Sequence, residues 1–227
     1  MATPTVLIVG ASRGLGLAMA AEFLDKGWHV VGTVRGRRTQ LHDLAAEHLG
    51  RVQIETLDIN RPDQLQALRN RLTGCALDIL FVNAGVTNNP AETIGEVSTD
   101  EFARVMVTNA LSPLRAIEVL APLVAETGLI GVMSSGQGSV SNNTMGLREV
   151  YRASKAALNT LTRSFSARHP ERAMVLMAPG WVRTEMGGPE GKLSIEESVP
   201  KVVEVLLANQ GEPGLRYLDY LGRTVPW

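Results

Sequence analysis

The chain has 227 residues, which at roughly 150 per domain allows one large domain or two small ones around a sizeable core. Its 22 lysines and arginines against 23 aspartates and glutamates leave a net charge of -1, which excludes the basic excess of a polyanion binder and with it a nucleic-acid partner. Hydrophobic residues at 44% and charged residues at 20% exclude disorder, collagen and coiled coil, and Cys75, the one cysteine, excludes an internal disulfide and a cysteine-based zinc cluster.

In chain order, Met1 to Thr5 carry no basic residue, and the apolar run Val6 to Val9 stops at Gly10. That is too short for a secretory segment, so no export signal is expected, and a reducing cytoplasm fits the single cysteine. Thr5–Val9 itself reads as a first strand, followed by Gly10-Ala11-Ser12-Arg13-Gly14-Leu15-Gly16 and a helix to about Lys26, stopped by Gly27. Glycines at that turn let the backbone approach a pyrophosphate, which the free N–H groups and dipole of the helix start would hold.

The second strand, His29–Val34, ends at Arg35, where a fold that binds an unphosphorylated ribose would usually place an acid. Arg35 and Arg13 instead offer planar donors suited to a 2'-phosphate, while Arg37 and Arg38 read as a solvated loop. Leu41, Leu44, Ala45 and His48 follow helical spacing; Val52–Leu57 reads as a third strand; Leu65, Leu68 and Leu72 follow as a helix opened by Pro62.

Ile79–Val82, Leu129–Met133, Ala173–Met177 and Arg216–Tyr220 complete seven strands, mostly continuous apolar runs of the kind covered on both faces. Ser98 with Glu101 and Ser194 with Glu197 have capping-box spacing and open two helices. From Thr127 to Leu147 no charged residue occurs for 21 positions, but Gly, Ser, Asn and Gln there suit a strand and loop, not a membrane span. Repeated strand–helix alternation predicts one Rossmann-type α/β domain over residues 1–227, a doubly wound parallel sheet with helices on both faces and its ligands beyond the strands' carboxyl ends.

Tyr151 and Lys155, four apart on the helix reaching about Arg168, project from one face. An ammonium near a phenol stabilises phenolate and is expected to lower its pKa, bringing the group toward acid–base use.

Together these residues resemble the short-chain dehydrogenase/reductase family over nearly the whole chain. Gly10 to Gly16 is similar to that family's cofactor loop, Asn83-Ala84-Gly85 to its motif after the fourth strand, Tyr151-x-x-x-Lys155 to its catalytic pair and Pro179-Gly180 to its turn after the sixth strand. Tyr-Arg-Ala-Ser-Lys-Ala-Ala-Leu-Asn and Pro-Gly-Trp-Val-Arg-Thr-Glu-Met-Gly-Gly resemble small carbonyl reductases of the sniffer and C-factor kind.

The resemblance implies NADP(H) as cofactor, held by Gly10, Ser12, Arg13, Gly14, Leu15, Gly16, Arg35, Asp58, Ile59, Asn83, Ala84, Gly85, Tyr151, Lys155, Pro179, Gly180, Val182 and Thr184. Asp58 would meet the adenine amine and Thr184 the nicotinamide amide. Asn109 would hold a water against Lys155; its other reading is a helix-bending polar residue near Pro113. The family's serine falls at Gly138 by its usual distance, so a longer loop puts it at Ser135, with Ser134 as the alternative. Val9 departs from the usual threonine.

The implied reaction is reduction of an apolar or aromatic ketone or aldehyde by NADPH, with no metal. An NAD-dependent alcohol dehydrogenase and a non-catalytic NADP(H)-sensing protein on the same fold are the alternatives. Val86, Val140, Met145, Leu147, Trp181 and Met186 should wall the substrate pocket, with Glu185 to Leu193 as a small mobile lid and Arg148 and Arg183 at the surface. A homodimer or homotetramer is expected through the helices beginning near Ser98 and Glu149, whose Val105, Ile117, Leu120, Leu158, Leu161 and Phe165 exceed what one sheet face needs.

Overall fold

The computed structural model describes residues 3–227; Met1 and Ala2, part of the N-terminal stretch read above, lie outside them. The chain runs β1 (Thr5–Val9), α1 (Gly14–Asp25), β2 (His29–Val34), α2 (Gln40–Glu47), β3 (Val52–Thr56), α3 (Pro62–Arg71), β4 (Leu77–Val82), α4 (Thr99–Met106), α5 (Ser112–Leu120), β5 (Val124–Met133), α6 (Glu149–Arg168), β6 (Ala173–Ala178), α7 (Ile195–Ala208) and β7 (Gly214–Asp219). The strands form one parallel sheet in the order β3-β2-β1-β4-β5-β6-β7. Chain order reverses between β1 and β4, paired Val9 to Val82, and the crevice beyond their carboxyl ends is where such sheets take ligands.

Helices cover both faces because both faces are apolar. Leu7, Leu80, Ile130 and Leu176 point into one core layer with α3, α5 and α6. Ile8, Phe81, Leu129 and Val175 point into the other with α1 and α7. All six residues of β6 are buried, which is why its sequence shows no alternation.

Two strands begin earlier than their apolar runs suggested, β4 at Leu77 and β5 at Val124, because charged residues interrupt the pattern. Asp78 has a structural use, accepting the Thr5 N–H at 2.8 Å. β7 is shifted toward its start, spanning Gly214–Asp219.

The Ser194–Glu197 capping box closes in both directions. The Ser98 one closes only halfway: Ser98 accepts the Glu101 N–H at 3.2 Å, but the Glu101 carboxylate is taken by Arg104 at 2.7 Å. The helix expected from Ser98 is not continuous either. A wide π turn at Val107–Leu111 separates α4 from α5.

Candidate active site

The turn between β1 and α1 is shaped by what surrounds it. Gly10 has φ +94°, and a Cβ there would lie 3.0 Å from the Ala84 backbone; a Cβ at Gly16 would lie 2.1 Å from the Gly10 carbonyl oxygen. Neither position admits a side chain. The turn is tied from two neighbouring strands: Thr33 accepts the Gly10 N–H at 2.9 Å, and Asn83 donates from Nδ2 to the Gly10 carbonyl at 2.7 Å. No side chain caps the start of α1 and no acid stands in its first turn, so its N–H groups and positive dipole end face the crevice. That cradle fits a dinucleotide's pyrophosphate.

The sequence-predicted cofactor residues other than Tyr151 and Lys155, which stand on α6, lie at this carboxyl edge. Gly10, Ser12, Arg13, Gly14, Leu15 and Gly16 form the first turn; Arg35 follows β2; Asp58 and Ile59 follow β3; Asn83, Ala84 and Gly85 follow β4; Pro179, Gly180, Val182 and Thr184 follow β6. Arg13 is ion-paired with Glu185 and exposed; Arg35 is exposed with no ion pair among the described residues. Asp58 closes its own turn, accepting the Asn60 N–H at 3.0 Å. Ile59 and Val182 are buried, which leaves only their backbones for a ligand.

Asn109 sits in the π turn, fully buried, and accepts the Val86 N–H at 2.8 Å. Its amide donates to the Val86 carbonyl at 2.7 Å and to Ser154 Oγ at 3.0 Å. π turns inside helices recur at functional sites because they re-aim a side chain. Here Asn109 Oδ1 and Lys155 Nζ converge on Gly85, at 3.4 and 3.7 Å from where a Cβ would stand.

Lys155 is 3% exposed and donates to the Met133 carbonyl at 2.8 Å. Burial pulls its pKa down to about 8. Its Nζ lies 5.8 Å from the Tyr151 ring centre. The Tyr151 phenol is pushed up to about 12 by burial, against the lowering effects of the Ser135 hydroxyl and the Arg148 charge. The net shift is opposite to the one expected from a lysine neighbour, because desolvation of a phenolate outweighs its favourable partners.

The two serines separate clearly. Ser134 is buried and donates to Asn159 Oδ1 at 2.6 Å, whereas Ser135 is part-exposed, accepts the Gln137 N–H on its hydroxyl at 3.1 Å and stands close enough to Tyr151 to lower the phenol's pKa.

Several expectations for the pocket rim need correcting. Val140, Met145 and Leu147 are 73%, 74% and 59% exposed, forming an open apolar margin instead of an enclosed wall. The segment 185–193 is tied to its own base: Trp181 Nε1 donates to the Gly187 carbonyl at 2.7 Å, and Leu193 to the Trp181 carbonyl at 3.0 Å. Arg183 turns outward to the Gly191 carbonyl at 2.9 Å, as expected, but Arg148 is half-buried and acts on the phenol. Of the six apolar residues offered for an interface, five are buried in the chain's own core and only Leu161 is exposed.

Sequence reading gave no role to Thr33, Ser154, Asn159 and Tyr217, which support the site from behind; Ser154 and Asn159 fall within the quoted 151–159 stretch, but their partners Asn109 and Ser134 are distant in the chain.

The family model described as short chain dehydrogenase matches residues 4–193. The chain belongs to the short-chain dehydrogenase family. A Burkholderia multivorans structure of the same class, solved with bound NADP, is 64% identical with a TM-score of 0.98, covering 100% of both chains. A carbonyl reductase from Pseudomonas aeruginosa PAO1 in complex with NADP is 36% identical with a TM-score of 0.92, again over 100% of both. The C-signal protein of Myxococcus xanthus is 39% identical over 155 residues, 66% of this chain and 93% of that protein. The likeness of this short-chain dehydrogenase to carbonyl reductases agrees with the resemblance carried by its motifs.

Proposed function

We propose that residues 1–227 form one catalytic domain that reduces an apolar or aromatic ketone or aldehyde to its alcohol with NADPH, in the cytoplasm. The observation that carries this reading is the Tyr151 phenol, protonated at neutral pH as any phenol is and set beside the Ser135 hydroxyl, with Lys155 and Asn109 converging on Gly85 of the same edge. A phenol in that state is suited to deliver a proton to a carbonyl oxygen, and the Ser135 hydroxyl to orient and polarise the same oxygen. Lys155, with Asn109 beside it at Gly85, would bind the nicotinamide ribose and resupply the proton to Tyr151 Oη through water. The cofactor, when bound, supplies the hydride.

Arg13 and Arg35 would hold the 2'-phosphate, Asp58 the adenine, Thr184 the carboxamide, and the uncapped start of α1 the pyrophosphate. The NADP bound by the Burkholderia protein and the activity named for the Pseudomonas protein support this assignment. The exposed apolar side chains of Val140, Met145, Leu147, Trp181 and Met186 would lie against an apolar or aromatic carbonyl, burying surface that water otherwise wets. A homodimer or homotetramer would cover the groove of about 400 Å³ lined by Leu111, Leu114, Val119 and Leu161.

The test is steady-state kcat/KM with NADPH and NADH across matched apolar, sugar and anionic carbonyls, together with Tyr151→Phe. The variant should lose about two to four powers of ten in kcat while NADPH affinity stays within a few-fold. Wild-type turnover in that variant, or a clear preference for the sugar, would refute the reading.

A further inference from the structure

Tyr217 is one of the chain's three tyrosines, with Tyr151 and Tyr220, and it lies far from every motif. It is 2% exposed, in β7, opposite Leu176 of β6. Its hydroxyl donates to the main-chain carbonyl of Ser135, a carbonyl that also accepts the Gly138 N–H at 2.8 Å. The Ser134 hydroxyl and the Asn159 amide stand beside the same phenol.

The Tyr217 ring is itself backed by the following residues. After β7 the chain turns back, with the Val225 N–H on the Tyr217 carbonyl at 2.9 Å, and brings the Trp227 ring to 5.4 Å from the Tyr217 ring. Arg163 of α6 lies over the Trp227 ring at 4.9 Å. The main-chain oxygen of Trp227 then accepts Ser139 Oγ at 3.3 Å, Ser141 Oγ at 2.9 Å and the Ser141 N–H at 3.2 Å. The loop leaving β5 is thus held by β7 at Ser135 and by the residues beyond β7 at Ser139 and Ser141.

We propose that Tyr217 is a positioning residue, whose buried phenol holds the Ser135 carbonyl and thereby keeps the Ser135 hydroxyl turned toward Tyr151. Tyr217 is buried, and of the groups its hydroxyl touches Ser135 is the one assigned to the reaction. An extended residue that begins a loop can rotate about its own backbone, and a hydrogen bond on its carbonyl removes that freedom. The inference rests on the assignment of Ser135 and Tyr151 as the reacting pair.

Tyr217→Phe keeps the ring against Trp227 and removes only the donor. It is expected to lower kcat about ten-fold, with KM for the carbonyl and the NADPH dissociation constant within two-fold of wild type. In a Ser135→Ala background the same substitution should change kcat by less than two-fold, because the group it positions is gone. A merely structural role predicts equal losses in both backgrounds, and that result, or wild-type kcat in Tyr217→Phe, overturns the proposal. If Tyr217→Phe does not fold, Trp227→Leu replaces it in the same cycle: a loss of roughly three-fold confined to the Ser135 background supports the proposal, and an equal loss in both, or no loss in either, overturns it. Ser135→Ala with wild-type kcat removes the underlying assignment and this inference together; an impaired Ser135→Ala beside an unaffected Tyr217→Phe removes the inference alone.

Discussion

Replacing Lys155 by methionine should make this protein more stable at neutral pH while disabling it. The lysine is 3% exposed, and burial lowers its pKa from 10.5 to about 8. At about 1.4 kcal/mol per unit, holding the charge inside the fold costs about 3 kcal/mol at pH 7. Methionine keeps the unbranched stem and removes the charge, but forfeits the hydrogen bond to the Met133 carbonyl, worth about 1 kcal/mol. The net expectation is a gain of about 2 kcal/mol, or roughly 4 to 8 °C in Tm for a chain of this size.

The pH dependence separates this cause from better packing. Below about pH 8 folded and unfolded chains both carry the Lys155 proton, and the fold bears the whole penalty. Between about 8 and 10.5 the unfolded chain binds more protons than the folded one, so wild-type stability rises with pH until the penalty is gone. Tyr151 acts in the opposite sense: with its pKa raised from 10.0 to about 12, its contribution is whole below 10 and is lost between 10 and 12. Tyr151 is common to both proteins. Urea unfolding at pH 7, 9 and 10.5 should therefore show the variant's advantage shrinking and then reversing by about 1 kcal/mol, the worth of the lost hydrogen bond. A variant less stable than wild type at pH 7, or a gap that does not change with pH, would refute the argument.

Arg13→Ala should weaken NADPH binding roughly tenfold to a hundredfold and leave NADH unchanged in fluorescence titrations, since one charge-assisted bond is worth about 1.5 to 3 kcal/mol. Glu185→Gln, which releases Arg13 from its ion pair, should tighten NADPH a few-fold in the same titration. Gly16→Ala drives a methyl to 2.1 Å from the Gly10 carbonyl oxygen, so calorimetry should find cofactor binding lost or weakened at least a hundredfold while circular dichroism retains the α/β spectrum. Arg148, the one non-glycine residue at positive φ among those described, has φ 60° immediately before α6. Arg148→Gly should raise stability by about 1 kcal/mol in thermal melts, and the alkaline titration of Tyr151 should move up as a cation that lowers it is withdrawn.

Local pattern alone determined the parallel sheet and the edge that carries the site. Continuous apolar runs such as Ala173–Met177 can be satisfied only by cover on both faces, and the Gly10–Gly16 spacing can be read without knowing what lies across the crevice. The pairing of Tyr151 with Lys155 was legible for the same reason, since helical geometry brings residues four apart together. Nothing local distinguished Ser134 from Ser135: adjacent residues leave a strand on opposite sides, and only Asn159, 25 positions beyond Ser134, decides which one is tied down in the core. The break at Asn109 was open as one of two readings, whereas the direction of the phenol's shift, the exposure of Val140 and Met145, and the burial of Val105 and Phe165 were outside the sequence's reach. Each depends on desolvation or on contacts made by residues distant in the chain. Tyr217 is the extreme case, a strand residue whose partner Ser135 lies 82 positions earlier and becomes its neighbour only when β5, β6 and β7 assemble.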